Sequence, residues 1–172
     1  MWIYVIAIAL AGGLTLSPQP ATAEVAGDST SDVTAVGSGT GKMTVVGVAM
    51  AEDIQGREPV GSVNPSISCE KGKKSQVALP VVNSTTSQRV FFWNRVQSST
   101  AGTLRHIWLM KRDQGGWEPM AKVDLRIGQS PGYRTWSSKQ FDRSLHLGEW
   151  MVQVSKADDP SEVLCLSRFR VE

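Results

Sequence analysis

The chain has 172 residues, of which 18 are Lys or Arg and 16 are Asp or Glu, for a net charge of +2 and a pI near 8.6. Apart from Lys71, Lys73 and Lys74 the basic residues are scattered, which argues against the dense basic face of a nucleic-acid binder and reads as a solvated surface. With only two histidines and two cysteines, the chain is short of converging metal ligands, and no metal or other cofactor is expected.

Trp2 to Leu16 is an almost uninterrupted apolar run, followed by Pro18, Pro20 and Ala21-Thr22-Ala23. A hydrophobic region ahead of a small-x-small site predicts a secretory signal peptide over residues 1–23, cut after Ala23. No Lys or Arg precedes the run. An uncleaved anchor is the alternative, but a span needs about 20 apolar residues. The protein is therefore expected to be exported, with no membrane span after cleavage. Residues 24–41 are Gly, Ser, Thr, Ala and Val with few charges, a composition that cannot offset the entropy of ordering and predicts a flexible linker. The folded domain is placed at residues 42–172, large enough to bury a core of its own.

From there short runs rich in Val, Phe, Trp and Leu alternate with Gly, Pro, Asn and Asp. They predict strands over 43–50, 76–82, 89–96, 104–111, 120–127, 133–137, 149–155 and 163–171. Val123, Leu125 and Ile127 take one face against Asp124 and Arg126, as do Trp150, Val152 and Val154 against Met151 and Gln153. Turns are expected at 112–116 and 157–161. No helical stripe interrupts the pattern, so the expected fold is all-β: an antiparallel immunoglobulin-like β-sandwich of about 7–9 short strands. Cys69 and Cys165 form an even pair, suited to one disulfide in an oxidising compartment. Two buried free thiols are the alternative.

Asp53-Ile54-Gln55-Gly56-Arg57-Glu58-Pro59-Val60 resembles the opening motif of the bacterial family known as domain of unknown function 2914. Phe91-Phe92-Trp93, Arg105-His106-Ile107-Trp108, Trp136-Ser137-Ser138-Lys139 and Gly148-Glu149-Trp150 follow in that family's order, as does the closing run from Val163-Leu164 to Phe169. The resemblance covers about Val45 to Val171 and departs from the family pattern between Gly61 and Gln88. It implies a small all-β module of exported or membrane-associated proteins, with no agreed activity.

Two motifs fail on their chemistry. Gly128-Gln129-Ser130-Pro131-Gly132 matches the Gly-x-Ser-x-Gly elbow of serine hydrolases, but the residue after the serine must offer a backbone N–H to the oxyanion, and Pro131 has none. A hairpin turn is expected there. Gly37-Ser38-Gly39-Thr40-Gly41-Lys42 lacks the first glycine and the final Ser/Thr of a phosphate loop. Glu52/Asp53 and Asp158/Asp159 are placed at turns. The last pair is a poor start for a Ca²⁺ site.

Five tryptophans follow the signal segment: Trp93, Trp108, Trp117, Trp136 and Trp150. Aromatics flanked by cations can serve as stacking platforms for sugars. Trp108 shares parity with His106 and Met110, and Trp150 with Val152 and Val154, so both are assigned to the core. Trp117 follows two glycines at a turn and is expected nearest the surface. Trp136 shares a strand face with Arg134, and the sequence leaves open whether that face is core or solvent. Ser137-Ser138-Lys139 reads as strand termination, its hydroxyls bonded to local backbone. The catalytic alternative is a Ser137/Lys139 dyad. The expected role is a non-enzymatic binding or scaffolding module of the bacterial cell envelope. Its partner would be an envelope polysaccharide or protein, met by Trp117, Arg134, Trp136 and Lys139. A purely structural domain and a serine hydrolase are the alternatives.

Overall fold

The computed structural model describes residues 41–64, 66–70 and 78–172. The expected signal peptide, all but the last residue of the expected linker, and Lys71, Lys73 and Lys74 lie outside the described residues. Nine strands form two sheets: β1 (Met43–Gln55), β2 (Glu58–Asn64), β3 (Val81–Val82), β4 (Arg89–Ser98), β5 (Gly102–Lys111), β6 (Trp117–Ile127), β7 (Ser130–Gln140), β8 (Gly148–Lys156) and β9 (Val163–Val171). One sheet runs β2-β1-β4-β7 and the other β3-β9-β8-β5-β6. The β-sandwich reading holds. Every ladder is antiparallel except β3 with β9, which is parallel, so the second sheet is mixed.

Alternation places the core. On β4, Val90, Phe92, Asn94, Val96 and Ser98 are buried, while Arg89, Arg95 and Gln97 are exposed. On β8 and β9, Trp150, Val152, Val154, Cys165, Phe169 and Val171 fill the facing layer. Trp108, fully buried, makes edge contacts with Phe92 at 6.3 Å and Phe169 at 6.4 Å between centroids. Phe141, just past β7, closes one end against Trp150 at 5.0 Å. Truncating side chains of this size in a core costs about 3–5 kcal/mol, so this aromatic cluster is a main source of stability.

Four expectations change. β2 was not foreseen: Pro59 and Gly61 disguise it, but β2 is an edge strand, where a proline removes no ladder bond. Glu52 and Asp53 lie within β1, which continues to Gln55 to meet β2, and the turn sits at Gly56-Arg57, both with positive φ (55° and 69°). The strand expected over 76–82 is seen only as Val81–Val82; Gln76 and Val77 lie outside the described residues. Gly128 to Gly132 is not a hairpin. β6 is the edge of one sheet and β7 the edge of the other, so this segment carries the chain between sheets, and Ser130 already pairs with Ser98 of β4.

Arg112 to Gly116 does close the β5–β6 hairpin, with Arg112 N–H donating to Gly116 O and Gly115 N–H to Arg112 O, both at 2.8 Å. Cys69 and Cys165 are joined, with Cα atoms 5.2 Å apart. Among the described residues no helix is long and apolar enough to cross a membrane.

Candidate functional site

Strand β7 carries the segment that the sequence singled out, and its two faces do different work. Thr135 and Ser137 point into the sandwich and are buried, whereas Arg134 and Ser138 are exposed on the outer face and Trp136 is half-buried there. The open question about Trp136 resolves to the outer face.

On the inner face Ser137 is not a strand terminator, since β7 runs on to Gln140. Its Oγ lies 2.8 Å from His106 Nδ1, accepts Trp108 Nε1–H at 3.0 Å, and so links β7 to β5 in the opposite sheet. His106 Nε2 lies 2.7 Å from the Asn94 side-chain amide on β4. Proton counting leaves two arrangements. Trp108 can only donate, and Ser137 Oγ has two lone pairs, so either Nδ1–H donates to Oγ while Nε2 accepts from Asn94 Nδ2–H, or Ser137 O–H donates to Nδ1 and the ring proton sits on Nε2. That proton needs the amide oxygen of Asn94, which a half-turn of the amide supplies. With the nitrogen turned to the ring instead, the buried Oδ1 of Asn94 has no partner.

A serine, a histidine and an asparagine in hydrogen-bond sequence resemble a nucleophile, its base and an orienting group. Access decides otherwise. His106, Asn94 and Trp108 are 0% exposed and Ser137 5%, leaving no approach for a scissile bond. Burial lowers the His106 pKa to about 3, because nothing charged compensates an imidazolium there. The ring is therefore neutral, and the network acts as a polar tie that links β7 to β5 and β5 to β4 across the core.

Lys139 shares the inward parity of Ser137, as the dyad required. Its Nζ, however, sits 5.9 Å from the centre of the Trp150 ring, a cation–π contact at the end of the sandwich. Ser137 Oγ is engaged by His106 and Trp108 instead. Trp117 opens β6 opposite Lys111 on the edge of the other sheet and is half-buried. The four residues expected to form one binding face therefore divide: Arg134 and Trp136 share a face, while Lys139 and Trp117 lie elsewhere. Asp159 Oδ1 accepts Ser161 N–H at 3.1 Å and Ser161 O–H, and these bonds, the hydroxyl's first, hold its pKa below the usual carboxylate range.

The outer face is built by two segments far apart in sequence. Trp93 on β4 stands directly opposite Trp136 on β7. Although it points outward, Trp93 is only 8% exposed, because the β1–β2 turn folds over it and Trp93 Nε1–H donates to Arg57 O at 2.9 Å. The turn then reaches β7. Arg57 Nη2 donates to Arg134 O at 3.0 Å, and the Arg57 guanidinium lies 4.9 Å from the centre of the Tyr133 ring. Glu58 pairs with Arg134 at 2.6 Å. Thus Gly56-Arg57-Glu58 clasps Tyr133-Arg134. Both motifs stand out in the sequence, but nothing in it says that they touch.

His106 was placed on the core face by parity, but its partners were missed. The available signal was Asn94, a polar residue at an inward position between Phe92 and Val96.

Fold and site together define an all-β sandwich domain with a sealed polar core and a cationic, aromatic outer face. Residues 101–171 match the model of the family described as "Protein of unknown function (DUF2914)", which supports the assignment of the chain to that family. Comparison with curated proteins gives no match. Among solved structures, a GH3 beta-glucosidase from Bifidobacterium adolescentis aligns at 10% identity and a TM-score of 0.36, over 77% of this chain and 17% of that one. A beta-D-glucoside glucohydrolase from Trichoderma reesei aligns at 8% identity and a TM-score of 0.35, over 77% of this chain and 19% of that one. The chain thus spans less than a fifth of either enzyme, and these similarities carry no functional argument.

Proposed function

We propose that this domain is a non-catalytic binding or scaffolding module of the bacterial cell envelope, which contacts an envelope polysaccharide or protein through the outer face of the β2-β1-β4-β7 sheet. One observation carries the reading: the chain presents Arg134 beside Trp136 on that face, while the Ser137–His106 pair is sealed in the core. A flat aromatic next to a forked cation suits recognition by stacking and hydrogen bonding. The disulfide fits an exported protein.

The test is capture from a solubilised envelope fraction by wild-type protein and by an Arg134→Ala, Trp136→Ala double variant with an unchanged circular dichroism spectrum. Retained partners should be lost in the double variant; equal capture would refute the face. A serine-reactive phosphonate should leave the native protein unlabelled, and labelling that disappears in Ser137→Ala would restore the hydrolase. The purely structural reading has its own support, the Ser137 tie between sheets, and that tie coexists with a binding role for the opposite face of the same strand.

A further inference from the structure

We infer that this outer face, if it is the contact surface proposed above, takes an oxyanion: a carboxylate or phosphate borne on an envelope polymer, seated between Arg95 and Arg134. The two arginines are register partners on β4 and β7, both exposed. Like charges placed directly opposite each other weaken a sheet, and an anion between them turns that repulsion into attraction. Arg57 is a third guanidinium, drawn onto β7 by the Arg134 carbonyl and the Tyr133 ring. Beside these three cations the ion-paired carboxylate is Glu58, on Arg134; Asp53 of β1, on the same face, is bonded to Ile54 N–H and the Gln55 amide. Arg95 has no ion pair among the described residues.

The backbone around Arg95 is cleared of side chains. Its register partner on β1 is Gly47, and Gly132 lies beside it on β7. A Cβ at Gly132 would meet Arg95 Cδ at 3.2 Å, and one at Gly47 would sit 3.8 Å from Arg95 Cβ. The Arg95 stem thus lies in a notch floored by glycine, open to a group from solvent. Guanidinium forks bind planar or tetrahedral oxyanions by paired, charge-assisted hydrogen bonds, and half-buried Trp136 adds an apolar wall beside Arg134.

The experiment measures binding of three probes to the disulfide-bonded protein: polygalacturonate for carboxylate, long-chain polyphosphate for phosphate, and neutral dextran. At low ionic strength at least one anionic probe should bind, weakening as salt is added, and dextran should not. Arg95→Glu should lower that affinity about tenfold or more and raise the melting temperature, since it replaces a repelling pair with an Arg134 ion pair. Arg95→Gln should weaken binding with a smaller thermal gain. Anionic binding unchanged in both folded variants overturns the site. So does failure of both anions, or dextran binding as well as they do. If the anions fail while envelope capture still depends on Arg134 and Trp136, the ligand class falls and the binding face stands. If capture is also indifferent, both fall.

Discussion

His106 makes the domain acid-sensitive in a way that can be calculated. In the unfolded chain a histidine titrates near 6.5, and in the folded core burial lowers it to about 3. The folded pKa is the depressed one, so the stabilising difference is complete above pH 6.5 and is lost as pH falls towards 3. Each pH unit in that window removes about 1.4 kcal/mol, so about 3 kcal/mol is gone at pH 4.5. Only burial drives the shift; the ring's hydrogen-bond partners, Asn94 and Ser137, are neutral. The assay is urea unfolding at pH 7.5, 6.5, 5.5 and 4.5 for wild type and His106→Gln, which cannot titrate. Other titrating groups are common to both proteins and cancel in the difference. The wild-type advantage over the variant should shrink by about 3 kcal/mol between pH 7.5 and 4.5. A difference that stays flat over that range would refute a neutral, sealed His106.

Ser137→Ala strands the Trp108 N–H and leaves His106 Nδ1 without its partner, at about 1–3 kcal/mol for each buried group left unpaired; a fall in urea midpoint with unchanged slope checks it. Trp93→Phe keeps the ring on the outer face but loses the bond to Arg57 O, costing about 1 kcal/mol and raising hydrogen exchange in the β1–β2 turn. Reducing Cys69–Cys165 restores unfolded-state freedom worth roughly 4–5 kcal/mol in the chain-entropy model, read as the stability difference between oxidised protein and a Cys69→Ser, Cys165→Ser variant.

The fold was legible wherever period-two alternation was clean. Trp150, Val152 and Val154 lie on the core face as their spacing requires, because in a sandwich one face of each strand must be buried. The β2 strand was not legible, because edge strands tolerate the Pro59 and Gly61 that usually argue against pairing. At the site, parity separated Arg134 and Trp136 from Tyr133 and Thr135, but parity is relative and does not say which set is inside. The neighbours settled it: Ser137, two residues on from Thr135, finds His106 and Trp108 across the core. That contact joins positions 31 and 29 residues apart on different sheets, and nothing local in the sequence encodes it. The same holds for Trp93, which points outward yet is covered by a turn 36 residues earlier in the chain.

The Cys69–Cys165 bond encloses β3 through β8 whole in one covalent ring. A protease that cuts once inside that ring, for instance at the exposed Arg112–Gly116 turn, opens the circle without releasing a piece. Both products stay one molecule, still aligned by the remaining ladders, and migrate as one species until a reductant is added. For this domain a single nick under oxidising conditions adds one water and sheds nothing, and loss of a fragment requires a further event: a second cut or reduction.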